Sequence, residues 1–338
     1  MRALVVVNPH ATATSRHLRE ILLQALGRAA SVDVAATHYR GHGIALGAQA
    51  RNDGVDLVVT LGGDGTVNEV VNGLLGDGSL ADGPSADTRP LPTFAVVPGG
   101  SANVFVRTLG FSRDPIAASA QLLESIRRDR TRAIGLGRVG SRWFTFNAGF
   151  GFDAEVIERV ERYRSQGREA SPALYVQAAL AQFARARDRR YPSVTLTGGP
   201  GGPVGGLFFG IVANAAPWTY LGPRPVNLLP RASFDTGLDL LAPRSMRTST
   251  LARVAARAAI AARPSGRPRH SMLELHDLDE FTLTSTVPLP VQVDGDFLGR
   301  HSTATFTAQS RAITVLAGPR GAAPLRLSAP RRRILKAR

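Results

Sequence analysis

This chain of 338 residues contains no cysteine. Disulfides, thiol nucleophiles and cysteine-held metals are therefore excluded. Lysine is almost as scarce. Lys336 is the only one, so arginine supplies nearly all of the 41 basic residues. The body of the chain thus has no P-loop lysine, no kinase strand lysine and no Schiff-base lysine. Any handling of phosphate must use backbone amides, arginine or a metal ion. Aromatic residues make up only 6% and are not interleaved with the basic runs, which is a poor composition for stacking nucleic-acid bases. No apolar run approaches the roughly 20 residues that span a bilayer as a helix. The apolar start, Ala3 to Val7, is too short for a signal peptide. A cytoplasmic protein is expected.

What is present sets further bounds. A hydrophobic content of 43% is ordinary for a globular protein, and the length is enough for two domains. The net charge of +15 suggests an anionic partner, either nucleic acid or an anionic membrane surface, or else arginine-rich solvated faces.

Strand and helix patterns alternate at the start. Ala3–Asn8 reads as a buried strand and Val32–Ala36, Val55–Thr60 and Phe94–Pro98 as further strands, with helical spacing between them at Leu18–Leu26, Ile44–Ala50 and from Thr66 onward. This predicts a parallel sheet with helices on its faces over residues 1–130. Residues 76–92 read as an exposed loop, and a helix is expected over 115–128. From about Thr131 the pattern changes to short alternating stretches between Gly, Pro and Asp turns: Ile134–Val139, Trp143–Asn147, Val194–Leu196, Leu207–Ala213, Leu238–Leu241, Phe281–Ser285, Val291–Val293 and Thr303–Phe306. An antiparallel β domain over 131–317 is expected, with helical insertions at 153–164, 172–188 and 249–262. The tail, 318–338, carries seven basic residues and no acid and is expected to be disordered.

Two glycine turns stand out, each after a strand. The first is Gly62-Gly63-Asp64-Gly65-Thr66-Val67-Asn68-Glu69. Thr66 with Glu69 three residues on has the form of a capping box, which predicts a helix starting at Thr66. The second is Gly99-Gly100-Ser101-Ala102-Asn103. Bare backbone N–H groups at such turns can cradle phosphate, and ligands bind at the carboxyl ends of strands in open α/β sheets. Two neighbouring turns suit an extended phosphate chain. Asp64 is the only acid in either turn and could hold magnesium directly or through water.

The order of motifs resembles the diacylglycerol kinase catalytic domain, the superfamily of bacterial diacylglycerol and lipid kinases, sphingosine kinases and ceramide kinases. The likeness runs from Asn8-Pro9 through Gly62–Glu69 and Pro98–Asn103, then Asn147–Ala154, Leu229-Pro230, Asp235–Leu238 and Asp294-Gly295-Asp296. It implies ATP-dependent phosphorylation of a lipid hydroxyl, diacylglycerol, a sphingoid base or another long-chain alcohol. It also implies an α/β nucleotide domain, a β-sandwich second domain, and a cleft between them. Nucleotide contacts carry over to Asn8, Pro9, His10, Ala11, Thr12, Thr37, Gly62, Gly63, Asp64, Gly65, Thr66, Val67, Asn68 and Ser101. The general base carries over to Asp296, one methylene shorter than the family's Glu, with Asp64 as the second catalytic carboxylate. A structural Mg2+ would lie at Ser233, Thr236 and Leu238, where Thr236 replaces an Asp and Asp235 is the nearest carboxylate. A non-catalytic lipid- or nucleotide-binding homologue is the alternative. The implied partners are a lipid substrate and an anionic membrane surface, with a homodimer left open and no nucleic acid.

Other readings stay open in the sequence. Asp294 and Asp296 fit an ordinary Asp-Gly hairpin as well as an active site. Asp153 reads equally as a helix N-cap. Asn147 and Asn214 could line a cleft or close turns. His10 and His38 read as bystanders to the nucleotide site. Arg253 with Arg257, and Arg185, Arg187, Arg189 and Arg190, could rest on lipid headgroups or lie on solvated helix faces.

Overall fold

The computed structural model describes residues 1–11, 16–77, 90–165, 192–247, 249–250 and 271–319. The element order is β1 (Arg2–Val7), α1 (Arg16–Leu26), β2 (Ser31–Ala36), α2 (His42–Asn52), β3 (Leu57–Gly62), α3 (Asp64–Leu75), β4 (Thr93–Pro98), α4 (Val104–Thr108) and α5 (Pro115–Arg127). It continues with β5 (Thr131–Val139), β6 (Arg142–Phe144), β7 (Asn147–Phe150), α6 (Phe152–Ser165), β8 (Val194–Thr197), β9 (Val204–Leu207), β10 (Gly210–Ala213), β11 (Thr219–Leu221) and β12 (Arg224–Val226). The last elements are β13 (Leu238–Pro243), β14 (Met272–Leu278), β15 (Glu280–Val293) and β16 (Asp296–Leu316). The predicted helices over 172–188 and most of 249–262, their arginines, Thr12, the side chain of Asp153, most of the 76–92 loop and the basic tail lie outside the described residues.

The first half is the expected parallel α/β unit. β4, β3, β1 and β2 lie side by side in that order, all parallel. The apolar runs of β1, β3 and β4 are buried on both faces: Val5, Val6, Val58, Val59, Leu61 and Val97 are essentially inaccessible, as parallel strands covered by helices require, whereas β2 at the edge is partly exposed. Each such side chain contributes about 1.5–3 kcal/mol of burial. From β1 the chain crosses to β2 on one side and returns to β3 on the other. The order of strands therefore reverses between β1 and β3, and their carboxyl ends open a crevice there.

The second half is antiparallel, as predicted, but its strands are longer and more continuous. β14, β13, β10, β7, β15 and β16 form one ladder. The separate runs Phe281–Ser285 and Val291–Val293 are one strand, β15, bridged by a register shift between Thr284 and Leu289. Thr303–Phe306 is a fragment of the 21-residue β16. β16 pairs antiparallel with β15 and β5, and its far end lies parallel to β4 at Val315–Phe94. One strand thus joins both halves into a 14-stranded sheet. It also feeds both apolar clusters, Val315 in the one around β1, β3 and β4, and Phe306 in the one around Phe150 and Phe281.

Two local expectations are overturned. Helix α3 starts at Asp64 with Gly63 as its N-cap, and no side chain caps it. Thr66 Oγ1 accepts instead from Asn8 Nδ2 at 3.1 Å. Glu69 reaches across to α2 and accepts from the Gly41 and Gly43 N–H groups at 2.8 and 2.9 Å. It can do so because α2 and α3 touch backbone to backbone: a Cβ on Gly73 would lie 2.1 Å from Ile44 O. Second, the expected strand Trp143–Asn147 is broken into β6 and β7. The N–H groups of Thr145, Phe146 and Asn147 turn inward to one carboxylate, Asp294, and so leave the ladder there.

Candidate active site

The two glycine turns meet at the crevice. Gly99 N–H donates to Gly62 O at 2.8 Å, and a Cβ built on Gly100 would lie 2.8 Å from the Gly63 Cα. Only glycine at both positions permits that approach. Asn8 enters from the end of β1. Its N–H donates to Leu61 O at 3.0 Å, its Nδ2 donates to Thr66, and its Oδ1 accepts from the His10 N–H at 3.0 Å. The chain through Pro9 and His10 is exposed, with Ala11 half-buried. Thr37 ends β2, buried, with its N–H on Val7 O at 2.8 Å. Asn8, Thr37 and both turns thus share one edge of the parallel sheet.

Within the first turn the roles divide. The backbone from Gly63 to Gly65 is half-buried, and a Cβ on Gly65 would meet nothing within 4 Å. That leaves open space at the start of α3. Val67 points into the core, and its N–H is held by Gly63 O at 3.1 Å. Asn68 is fully buried. Its Nδ2 donates to Trp143 O at 2.9 Å and to Asp294 Oδ2 at 2.8 Å. In the second turn Ser101 is exposed. The turn is locked by Asn103, which sits at φ 50° and bonds both the N–H and the carbonyl of Gly100, at 2.9 and 2.6 Å. Local side-chain-to-backbone bonding of this kind is what lets Asn occupy the left-handed region.

Asp64 faces the second turn. Its carboxylate accepts from the Val104 and Phe105 N–H groups at 3.0 and 3.2 Å, capping α4. Burial raises its pKa to about 6, against the opposing pull of those two N–H bonds, with the charge of Asp294 raising it further.

Asp294 and Asp296 sit at the β15–β16 hairpin. Asp294 and Gly295 are its two central residues, at φ 49° and 88°, the positive pair of a type I′ turn. The hairpin reading is therefore realised. Asp294 is buried and accepts five hydrogen bonds, from Thr145 N and Oγ1, Phe146 N, Asn147 N and Asn68 Nδ2, over 2.7 to 3.2 Å. Burial raises its pKa, and those donors oppose the shift. Asp296 is partly exposed. Arg142 Nη2 lies 3.8 Å from its Oδ2, and Arg40 Nη2 donates to its Oδ1 at 3.4 Å. Arg142 Nη2 also donates to Asn68 Oδ1 at 2.6 Å. Asp296 is thereby tied to the helix that starts at the first glycine turn.

Other residues resolve as ties. Asn147 donates to Trp218 O at 3.0 Å and accepts from Gln292 at 3.2 Å. Asn214 donates to the Gly135 and Thr145 carbonyls at 3.0 and 2.8 Å. Both close turns. His38 N–H donates to His42 Nδ1 at 3.2 Å, and the two rings stack. The residues at the implied structural magnesium do not fit that ion. Ser233 O accepts from both the N–H and the hydroxyl of Thr236, at 3.0 and 3.1 Å. Asp235 pairs with Arg132 at 2.6 Å, and the side chain of Leu238 is buried in the core. Among the described residues no three His, Asp or Glu side chains converge.

Arg40 and Arg142 were not singled out by the sequence, and Glu69 and Asn103 entered only as members of the two turn motifs, without these roles. Asn103 was within reach, since an Asn closing a glycine turn is a common device. The arginines were hidden among some forty others.

The family model for the diacylglycerol kinase catalytic domain matches residues 2–139. A diacylglycerol kinase of Bacillus subtilis is 32% identical over 152 residues, 44% of this chain and 46% of that protein. The chain thus aligns with less than half the length of that curated relative. A crystal structure of a Bacillus anthracis diacylglycerol kinase superposes with TM-score 0.66 at 19% identity, covering 94% of this chain and 97% of that one. An NAD kinase from Archaeoglobus fulgidus in complex with ATP superposes with TM-score 0.50 at 13% identity, covering 94% of each chain. These two show a shared fold. Residues 2–139, which carry Asn8 and both glycine turns, are the part of the chain that is similar to the diacylglycerol kinase catalytic domain.

Proposed function

We propose that this protein is an ATP-dependent lipid kinase that transfers the γ-phosphate to a lipid hydroxyl, diacylglycerol or a related long-chain alcohol. The observation that carries the reading is the convergence at the reversal of strand order. Asn8, the two abutting glycine turns and the Asp296–Arg142–Asn68 chain all meet around the start of α3. The similarity of residues 2–139 to the diacylglycerol kinase catalytic domain supports kinase chemistry, and the glycine backbone at Gly63–Gly65 and Gly99–Gly100 supports triphosphate binding without lysine.

In this reading residues 1–130 bind nucleotide and residues 131–317 present the lipid. The acceptor oxygen bonds to the γ-phosphorus as the bridging P–O bond to ADP breaks. Asp296 takes the proton of the acceptor hydroxyl. Positioning and charge stabilisation supply most of the rate, with little covalent work for the protein. Magnesium bound with the triphosphate would neutralise its developing charge, and Asp64 is the carboxylate that would hold it directly or through water. Product would feed phospholipid synthesis at an anionic membrane, which the chain contacts peripherally through its arginine excess.

The test is incubation of the purified protein with labelled ATP, magnesium and mixed micelles of diacylglycerol, sphingosine or a long-chain alcohol, with NAD as a soluble competitor substrate. A labelled lipid product is expected. Labelled NADP with no lipid product would overturn the reading in favour of a soluble acceptor, and no product at all would favour a non-catalytic homologue.

A further inference from the structure

A basic cavity lies between α4 and the β11–β12 hairpin. It measures about 430 Å3, and its lining includes Arg107, Thr108, Ser112, Arg113, Tyr220 and Pro223 but no acidic side chain. Arg107 stacks on the Tyr220 ring, 3.3 Å from its centroid. It donates to the Gly222, Pro223 and Ala102 carbonyls at 3.0, 3.3 and 3.4 Å. These bonds all end on neutral groups. Burial lowers its pKa, and the like charge of Arg113 acts in the same direction. Two guanidinium groups thus share one cavity, and neither makes an ion pair among the described residues. An anion entering there meets positive charge with no carboxylate to displace.

The hairpin bordering the cavity is set apart from the main sheet. β11 and β12 pair only with each other. A lone two-stranded hairpin is marginally stable, so it needs an anchor. Arg107 provides one, holding the Gly222-Pro223 turn on one side and Ala102 of the second glycine turn on the other. Residues 221–225 are all exposed. They form an apolar tip, Leu221, Gly222, Pro223 and Pro225, that carries one arginine, Arg224. Leu221 is 48% exposed, and Ile116, three residues after Arg113 at the start of α5, is 56% exposed. A single exposed leucine is ordinary on a surface. Here it adjoins arginines that make no ion pair among the described residues, which is the composition of an interfacial membrane contact. A free phosphate would use the cavity and leave the leucine in water. Nucleic acid would ask for an open aromatic face, and Arg107 already covers Tyr220.

We propose that the β11–β12 tip and the basic cavity beside it form the surface that docks on an anionic phospholipid bilayer. Leu221 and Ile116 enter the boundary between headgroups and acyl chains, and Arg113 and Arg224 meet the lipid phosphates. Arg107 joins the tip to the second glycine turn, so docking sets the phosphoryl-donor crevice against the membrane. This rests on the lipid-kinase reading above and assigns its membrane contact to named residues.

Docking is measured without turnover, on the full-length protein. Sucrose-loaded vesicles of equal parts phosphatidylcholine and phosphatidylglycerol, with no acceptor lipid and no nucleotide, are sedimented with wild type and variants. Arg113→Gln with Arg224→Gln should weaken partitioning about fivefold for each arginine lost. Leu221→Ser should weaken it about fivefold. Arg19→Gln with Arg28→Gln removes the same charge from exposed positions on and just after α1 and should change it less than about twofold. Equal losses in the two double variants would reduce the effect to net charge and overturn the surface. Unchanged binding of Leu221→Ser or of the Arg113 and Arg224 variant, or no binding of wild type to these vesicles, would overturn it too. A protein that docks as expected but phosphorylates no lipid upholds the surface and removes the kinase reading instead.

Discussion

Asp64 gives a test in which stability and activity move in opposite directions. Its carboxylate caps α4 beneath the second glycine turn, and its pKa is raised to about 6 from the 3.8 of the unfolded chain. A carboxyl that holds its proton more tightly in the folded state stabilises the fold most at low pH. That stability is lost as pH rises from the unfolded value through the folded one, about 3 kcal/mol in all. Asp64→Asn removes the titration. The amide oxygen keeps one of the two N–H partners and its NH2 group faces the other, a cost of about 1 kcal/mol at every pH. Near pH 3, below the unfolded value, the wild type should be the more stable by about 1 kcal/mol. At about pH 7 the order should reverse, with the variant ahead by about 2 kcal/mol. Urea unfolding of both proteins across that range, followed by circular dichroism, measures the gap. A gap that does not change with pH, or that moves in favour of the wild type as pH rises, refutes the reasoning. Lipid phosphorylation by the variant should nonetheless fall by orders of magnitude. Near-normal turnover would remove Asp64 from the chemistry.

Three further outcomes are expected. Asp294→Ala strands five buried donors, a loss of about 5 kcal/mol or more that consumes most of the stability of an ordinary domain; a soluble variant melting within a few degrees of wild type would contradict this. Gly100→Ala puts a methyl 2.8 Å from the Gly63 Cα, so the turns must part, and nucleotide affinity by calorimetry should fall about tenfold with a thermal shift of only a few degrees; unchanged affinity would separate the turns from the nucleotide. Asp296→Asn should lower kcat by about a hundredfold or more, with little change in KM for lipid, and retained kcat would exclude it as the base.

The parallel half was legible because its signals are local. Runs such as Leu57–Thr60 and Phe94–Val97 are apolar without alternation and end at glycine, and each became a strand buried on both faces. The antiparallel half was legible in kind but not in extent. β15 and β16 carry polar and exposed stretches, such as Ser285 to Pro288 and Arg300 to Thr303, that break the pattern while the backbone ladder continues. What holds those stretches is pairing with a distant strand, which no local window contains. The capping box at Thr66–Glu69 failed for the same kind of reason. Both side chains found stronger long-range partners, Asn8 for one and the α2 amides for the other. At the site, residues within glycine turns could be read, whereas Arg40 and Arg142 acquire meaning only when the fold brings Asp296 between them.

The Asp-Gly-Asp hairpin bears on the base proposed at Asp296. If the resemblance is followed, Asp296 is one methylene shorter than the glutamate expected there, so its backbone must do the reaching. The hairpin is built for that. Asp294 draws the N–H groups of Thr145, Phe146 and Asn147 and the amide of Asn68 onto one carboxylate. This clamps the hairpin tip simultaneously to the β6–β7 bend and to α3. Two residues on, Asp296 inherits that placement and is connected back to the same Asn68 through Arg142. The first aspartate therefore sets the position, and the third is left partly exposed, as the proposed base requires. A rigidly held short side chain loses less freedom on reaching a substrate than a longer one would. On that argument Asp296→Glu, which restores the family's length without moving the clamp, should push the carboxylate into Arg40 and Arg142 and lower kcat, whereas a gain in kcat would show that the hairpin had not compensated for the missing methylene.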